Sequence, residues 1–299
     1  MDRIRDIIKK NEFLTNIIVG NSWILNRVIY LQTLVYIVKK NKLEYIYTSI
    51  LHWLAYYLLG IKYDIKIKIS NKTFIIPNSM KWLDAIIEVF TDPLYNIFIW
   101  YKNVLDLGGY MGESAVRMSE HNENIVVYEA HPKNFSYLQK NISPYSNIIW
   151  YNYVVMGNSD KDKIEFYWGE WNMGAWTNVS SKNNKIFINT VSLKEILSTK
   201  TFDAIKMDIE WWEYDCLKIF FNDADDLLNN IKAGIIEFHF NGDSERYNFF
   251  NDFIKLLQWR NYECSFLNIH ENKYLEITEN NITQFELIIL YFLNRYEKF

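Results

Sequence analysis

Apolar residues recur through the first sixty positions at spacings that suit helices, over residues 4–8, 13–19, 23–38 and 45–59. The period then changes. Residues 63–69 alternate as YDIKIKI and 73–76 follow as TFII, which predicts two strands joined through Ser70-Asn71-Lys72. Asn tolerates the left-handed backbone that a tight turn needs, and Pro77 cannot donate to a ladder, so it ends the second strand. Helical spacing returns over 82–90 and is broken by Thr91-Asp92-Pro93.

From residue 103 onward, short apolar runs alternate with amphipathic stretches. Strands are predicted at 104–107, 125–129, 148–156, 202–209 and 233–240, with two more at 262–267 and 286–292. Helices fall at 112–120, from Pro132 through Lys140, through Leu217 and Phe220, and at 244–260. Residues 164–168 and 186–191 form inserted strands around a loop, 169–181. This order predicts an α/β fold with a mostly parallel, doubly wound sheet and helices on both faces. The expected organisation is a helical extension (1–62), a hairpin lead-in (63–95) and the α/β core (96–299). Ligands of such sheets bind beyond the carboxyl ends of the strands, near the point where strand order reverses.

Those ends are unusually polar. The segment VLDLGGYMGES (104–114) sets an acid inside a buried strand and then three glycines at a strand-to-helix turn. Glycine permits positive φ and close backbone approach, and a helix start directs N–H groups toward a carboxylate. Asp106 could accept a bond from an ammonium group. Asp106, Gly108, Gly109 and Gly112 together suit a zwitterionic amino-acid moiety such as methionine's. A dinucleotide fingerprint is not met, because Tyr110 and Glu113 stand where it needs Gly and a small residue. Glu129 ends the second strand, where an acid can accept bonds from both ribose hydroxyls.

A second cluster follows strands four and five. Lys206, Asp208 and Glu210 alternate onto one face, Glu213 lies in the first turn beyond, and Glu237 and His239 end the next strand. Charges within apolar strands are costly unless paired or functional, so either an ion-pair network or a site is expected. His239 is the first candidate general base, since its ordinary pKa lies near neutrality, with Glu210 or Asp208 second. Asp208, Glu210, Glu213 and His239 could instead hold a divalent cation, Mg²⁺ or Mn²⁺, although no metal-ligand motif is complete. The loop GEWNMGAWTNVSS (169–181), with Trp176, could close over an acceptor.

These segments resemble the FkbM family of methyltransferases: VLDLGGYMGESA, VVYEAHPKNFSYLQKNI, TVSLKEIL, FDAIKMDIEWWEYDCL and GIIEFH stand in the family's order, and NSMKWLDAIIEVFTDPLY is similar to its lead-in. The resemblance covers about residues 63–270 and implies a Rossmann-like class I methyltransferase fold with a seven-stranded sheet. It implies S-adenosylmethionine as donor and, commonly, O-methylation of sugars or natural products. Asp106, Gly108, Gly112 and Glu129 then take cofactor positions, and Lys206, Asp208, Glu210, Glu213 and His239 the charged positions of the transfer site. The family usually has Gly after its Asp-x-Glu pair, where this chain has Trp211; with Trp212, Glu213 and Trp176 it is expected to shape the acceptor pocket. Gly109 replaces the family's Ala.

Composition narrows the alternatives. A net charge of −4 and short, interrupted basic runs give no reason to expect a nucleic-acid partner. Two distant cysteines, Cys216 and Cys264, offer no disulfide framework or zinc motif and suit a reducing, cytoplasmic compartment. Residues 45–61 run for 17 positions without a formal charge, at the short edge for a membrane span and diluted by His52 and several tyrosines. A helical cap or homodimer contact is expected there, with peripheral membrane association as the alternative. The acceptor is expected to be a glycan or other hydroxylated small molecule. A non-catalytic scaffolding protein with the same fold, and a nicotinamide-dependent oxidoreductase, are the rival readings, the latter opposed by the unmet fingerprint.

Overall fold

The computed structural model describes residues 64–77, 85–158, 161–167, 185–240, 243–268, 273–275 and 287–296, except 70, 87, 91, 92 and 211. The expected helices of 1–60, the loop 169–181 with Trp176, and Trp211 lie outside the described residues. The chain separates into two compact units, Met1–Glu88 and Val89–Phe299.

In the first unit, β1 (Asp64–Ile69) and β2 (Lys72–Pro77) pair antiparallel, with Ile69 opposite Lys72. Lys72, expected in the connection, instead opens β2, and Asn71 takes the left-handed backbone at φ 67°. Phe74 and Ile76 are buried on one face of β2.

In the second unit the chain enters through a 3-10 helix, Pro93–Trp100, which the sequence reading left unassigned. There follow β3 (Asn103–Leu107), α1 (Glu113–Met118), β4 (Asn124–Tyr128), α2 (Pro132–Ile142), β5 (Ile148–Tyr151), β6 (Val154–Met156), β7 (Lys163–Tyr167) and β8 (Lys185–Ser192). The chain continues through α3 (Leu193–Thr199), β9 (Ala204–Met207), α4 (Glu213–Leu217), α5 (Ile219–Leu227), β10 (Ala233–His239), α6 (Ser244–Trp259), β11 (Tyr262–Asn268), β12 (Lys273–Leu275) and β13 (Leu287–Asn294).

The main sheet has the order β12-β11-β13-β10-β9-β3-β4-β5. Its strands β5, β4, β3, β9 and β10 run parallel, and β13 inserts antiparallel between β10 and β11. This is the class I methyltransferase arrangement of seven strands, with the three-residue β12 added at the edge. Because the chain starts in the middle at β3, moves out to β5 and returns to β9, the order reverses between β3 and β9. A crevice at the carboxyl ends belongs there.

The buried core joins the sheet to α3, α4, α5 and α6 through residues such as Leu105, Met207, Phe220, Phe238, Phe250 and Leu257. Local chemistry sets the helix starts: His131 caps α2 with Pro132 at its first position, Ser192 caps α3, and Asp243 accepts from Glu245 N (2.8 Å) before α6. Among the described residues, no helix is long and apolar enough to cross a membrane.

One predicted strand is corrected. Residues 148–156 are two strands rather than one: β5 joins the main sheet and β6 joins a small sheet ordered β6-β8-β7. The break falls at Asn152, whose side-chain amide donates to the carbonyls of Glu129 (2.7 Å) and Ala130 (3.0 Å). That amide holds the chain to the exit of β4 and turns it out of the sheet. Strand β9 is likewise shorter than the predicted 202–209. Asp208 N still donates to Leu107 O (3.0 Å), but Glu210 takes a positive φ of 50° and turns the chain away.

Candidate functional site

The register of β3 against β9 sets Asp106 beside Lys206. Asp106 is wholly buried and accepts from Ser114 Oγ (2.5 Å) through Oδ2, while Lys206 Nζ stands 3.5 Å from Oδ1. Lys206 also donates to Gly108 O (2.6 Å) and lies 3.7 Å from Asp208. Burial pushes the Asp106 carboxyl up, and the Lys206 ammonium with the Ser114 hydroxyl pulls it back. Burial also opposes the Lys206 charge, but Asp106, Asp208, Glu113 and Glu237 more than offset this and hold the ammonium above its ordinary value. Lys206, expected among the catalytic residues, is thus a buried cation tying two strand ends together.

The glycine turn is closed by the protein itself. Gly108 has φ 84°, and a Cβ there would lie 1.7 Å from Asp208 O, so the exit of β9 rests directly on this turn. Gly109 and Gly112 instead face side chains, those of Val127 and Ile142. The amides of the turn itself, before the helix start, are engaged. Gly108 N and Gly109 N donate to Tyr128 O, Tyr110 N to Glu129 Oε2 (2.8 Å), Met111 N to Glu113 Oε2 (3.1 Å) and Gly112 N to Gly109 O. Two of these acceptors are carboxylates.

Glu129 lies buried beyond β4 and accepts also from His131 N (2.8 Å) and Asn134 Nδ2 (3.4 Å) through Oε1. Burial raises its carboxyl to about 7 against those hydrogen bonds. Glu113 was recognised in the sequence only as a departure from the dinucleotide pattern. It is buried at the first position of α1, and desolvation pushes it up to about 8. An acid in the first turn is common at helix starts, so nothing in the sequence marked it as buried.

The second cluster gathers around one imidazole. His239 Nδ1 is 3.1 Å from Glu213 Oε1, and Nε2 is 3.5 Å from both Glu210 Oε2 and Glu237 Oε1. Tyr214 Oη (3.1 Å) and Arg246 Nη1 (2.9 Å) donate to the His239 carbonyl and steady the end of β10. Glu213 is wholly buried behind the ring. Expected against substrate, it meets the His239 ring instead of solvent. Asp208 and Glu210 keep side chains 35% and 32% exposed, and Trp212 at the start of α4 is half-buried. Glu237, seen in the sequence as a charged strand tip but not assigned to the site, belongs to it.

Electrostatics alters one expected role. Burial alone would lower the His239 pKa, but Glu213, Glu237 and Glu210 reverse this and raise it to about 10. The imidazole carries its proton near neutral pH, so the first-named general base is a poor proton acceptor in this setting. Glu210 is raised to about 7 by burial and by the neighbouring Asp208 charge.

The methyltransferase FkbM domain model matches residues 106–264. No curated protein matches the chain. Among solved structures it is similar to an FkbM methyltransferase from Methylobacillus flagellatus KT, at 16% identity and TM-score 0.40, over 64% of this chain and 43% of that one. It is similar also to an O-methyltransferase from Bacillus cereus in complex with SAH, at 11% identity and TM-score 0.39, over 72% of this chain and 91% of that one. A third is Trm5b from Pyrococcus abyssi, at 10% identity and TM-score 0.37, over 77% of this chain and 55% of that one. The chain spans less than two thirds of the length of the first and third of these. The domain model covers more than half of the sequence, from the buried Asp106 of β3 to Cys264 of β11, and the chain belongs to the FkbM methyltransferase domain family.

Proposed function

We propose that the protein is an S-adenosylmethionine-dependent O-methyltransferase acting on a hydroxyl of a sugar, glycan or glycolipid. The observation that carries the reading is the pairing of two acidic groups across one switch point. Asp106 and Glu129 stand at the ends of β3 and β4, and Asp208, Glu210, Glu237 and His239 at the ends of β9 and β10. Asp106 already has an ammonium partner in Lys206, 3.5 Å from its buried Oδ1, so its part in holding the cofactor is to fix the end of β3. Glu129 suits ribose hydroxyls, since its carboxylate sits at the strand end with lone pairs beyond those its donors use. Asp106 and Glu129 would hold S-adenosylmethionine, which when bound supplies a sulfonium methyl group open to in-line attack.

The chain's own residues then have separate tasks. Lys206 fixes the distance between the two halves through Gly108 O and Asp106. Glu213 fixes the His239 ring. Of the charged side chains, Asp208 and Glu210 are the two that reach solvent most, and Glu210 is the group to take the acceptor's hydroxyl proton. A positioned base contributes about 10²–10⁴-fold to such a reaction.

A second reading, a non-catalytic scaffold that keeps the fold, draws support from the buried Lys206 network and from the filled amides of the glycine turn. One experiment separates the two: calorimetric binding of S-adenosylhomocysteine to the wild type and to Asp106→Ala. Binding that disappears in a folded variant supports the enzyme. No binding by the folded wild type leaves the scaffold.

A further inference from the structure

We propose that Asp208, Glu237 and His239 form a binding site for one divalent cation of the Mn²⁺ and Mg²⁺ class. Each offers one ligand atom, and the three atoms lie within 4.8 Å of one another. In an octahedral site with bonds of about 2.1 Å, neighbouring ligand atoms stand about 3 Å apart and opposite ones about 4.2 Å. The 3.5 Å between His239 Nε2 and Glu237 Oε1 falls within that frame, and closing on an ion would draw Asp208 in by a few tenths of an ångström at most.

The two nitrogens of His239 behave differently. Nδ1 is within hydrogen-bonding distance of Glu213 Oε1 at 3.1 Å, whereas Nε2 stands 3.5 Å from two separate carboxylate oxygens, of Glu237 and Glu210. At 3.5 Å neither contact is a good hydrogen bond, yet both oxygens are near enough to share an ion with the nitrogen. A ring held through Nδ1 by a carboxylate, with Nε2 directed at other ligands, is the arrangement by which second-shell acids orient a metal-binding histidine.

Glu213 is an independent pointer. It is wholly buried, spends one oxygen on Nδ1, and its Oε2 has no hydrogen-bond partner. A buried carboxylate this poorly satisfied needs more positive charge nearby than the imidazole supplies. Lys206 does not supply it, since that ammonium is shared among Asp106, Asp208 and Gly108 O. A cation at Nε2 would displace that nitrogen's proton to solvent and put two positive charges where the imidazolium carried one, and Glu210 at the same nitrogen would be a fourth ligand or hold a bound water. The mixed nitrogen and carboxylate set suits Mn²⁺ somewhat better than Mg²⁺. An acceptor hydroxyl bound to the ion would have its pKa lowered. The site itself does not depend on the methyl-transfer reading.

The test uses the full chain without cofactor and Mn²⁺ alone, with free ion followed by electron paramagnetic resonance. We expect one bound Mn²⁺ per chain, displaced by Mg²⁺, absent in Glu237→Gln and His239→Ala, and unchanged in Glu263→Gln, an exposed side chain of β11. Glu213→Gln is expected to weaken binding about 10- to 100-fold. A folded wild type that binds no Mn²⁺ at millimolar concentration overturns the proposal, as does retention of the ion in Glu237→Gln. Electron spin-echo modulation on the wild type needs no variant. Coupling from one imidazole nitrogen is expected, and its absence from bound Mn²⁺ overturns the assignment. Binding of S-adenosylhomocysteine by metal-free protein is scored separately, so the two readings can fail independently.

Discussion

Two regions at the same edge of the sheet carry acids and treat them in opposite ways. At the ends of β3 and β4, Asp106, Glu113 and Glu129 are buried and satisfied largely by a hydroxyl, an ammonium and backbone amides. At the ends of β9 and β10, Asp208, Glu210 and Glu237 are partly open and face an imidazole. The first region's carboxyls are enclosed by backbone donors, the Ser114 hydroxyl and the Lys206 ammonium, away from solvent. The second is built from groups that can gain or lose a proton or bind a cation. Under the methyl-transfer reading, the difference puts holding on one side of the switch point and chemistry on the other.

The comparison can be broken most sharply at Glu210. Under the methyl-transfer reading, Glu210→Gln should lower kcat about 10²–10⁴-fold while leaving S-adenosylhomocysteine affinity unchanged by calorimetry. Equal losses in both would put Glu210 on the holding side. Next is Lys206→Met, which strands Asp106 without its cation. Breaking a buried pair from one side costs about 3–5 kcal/mol, to be read from chemical denaturation. A small effect would show that the buried ammonium is not what joins the two regions.

A third test concerns pH. Glu113 has a folded pKa of about 8 against an ordinary 4.5. Between those values the folded state binds a proton that the unfolded state has lost. Its contribution is therefore fully present below about 4.5 and is lost as pH rises toward about 8, at up to about 1.4 kcal/mol per pH unit. Glu113→Gln should flatten stability across that window and be the more stable protein at pH 8. An unchanged slope would mean that Glu113 is ionised within the fold. The smallest effect is expected from Asn134→Ala, which removes the 3.4 Å contact to Glu129 Oε1 and should cost about 1 kcal/mol in thermal or denaturant unfolding.

Much of this was legible in the sequence, for a physical reason. An acid in an apolar run is expensive to bury, so Asp106, Asp208 and Glu237 stand out from the strands that carry them. Strand and helix periods made the parallel sheet readable, and with it the edge where those acids meet. What could not be read depends on contacts distant in sequence. The break between β5 and β6 is made by Asn152 reaching back to Glu129 and Ala130. The retreat of Glu213 behind His239 depends on how α4 meets β10, and no local pattern encodes that. The His239 pKa follows likewise from three glutamates on two separate segments. The glycine turn shows the limit most clearly: its residues invite a reading as a ligand cradle, yet their missing side chains leave room for Asp208, Val127 and Ile142.

Gly108 carries a further consequence. With a Cβ at that position 1.7 Å from Asp208 O, the turn after β3 and the exit from β9 touch main chain to main chain. Under the methyl-transfer reading, the span between a donor on one side and an acceptor on the other is gauged in part by this backbone contact, like the fixed jaw of a caliper. Side chains along the β9 and β10 exits could be exchanged to suit new acceptors without altering that gauge. Replacing one hydrogen atom of Gly108 with a methyl group would reset it for every acceptor at once.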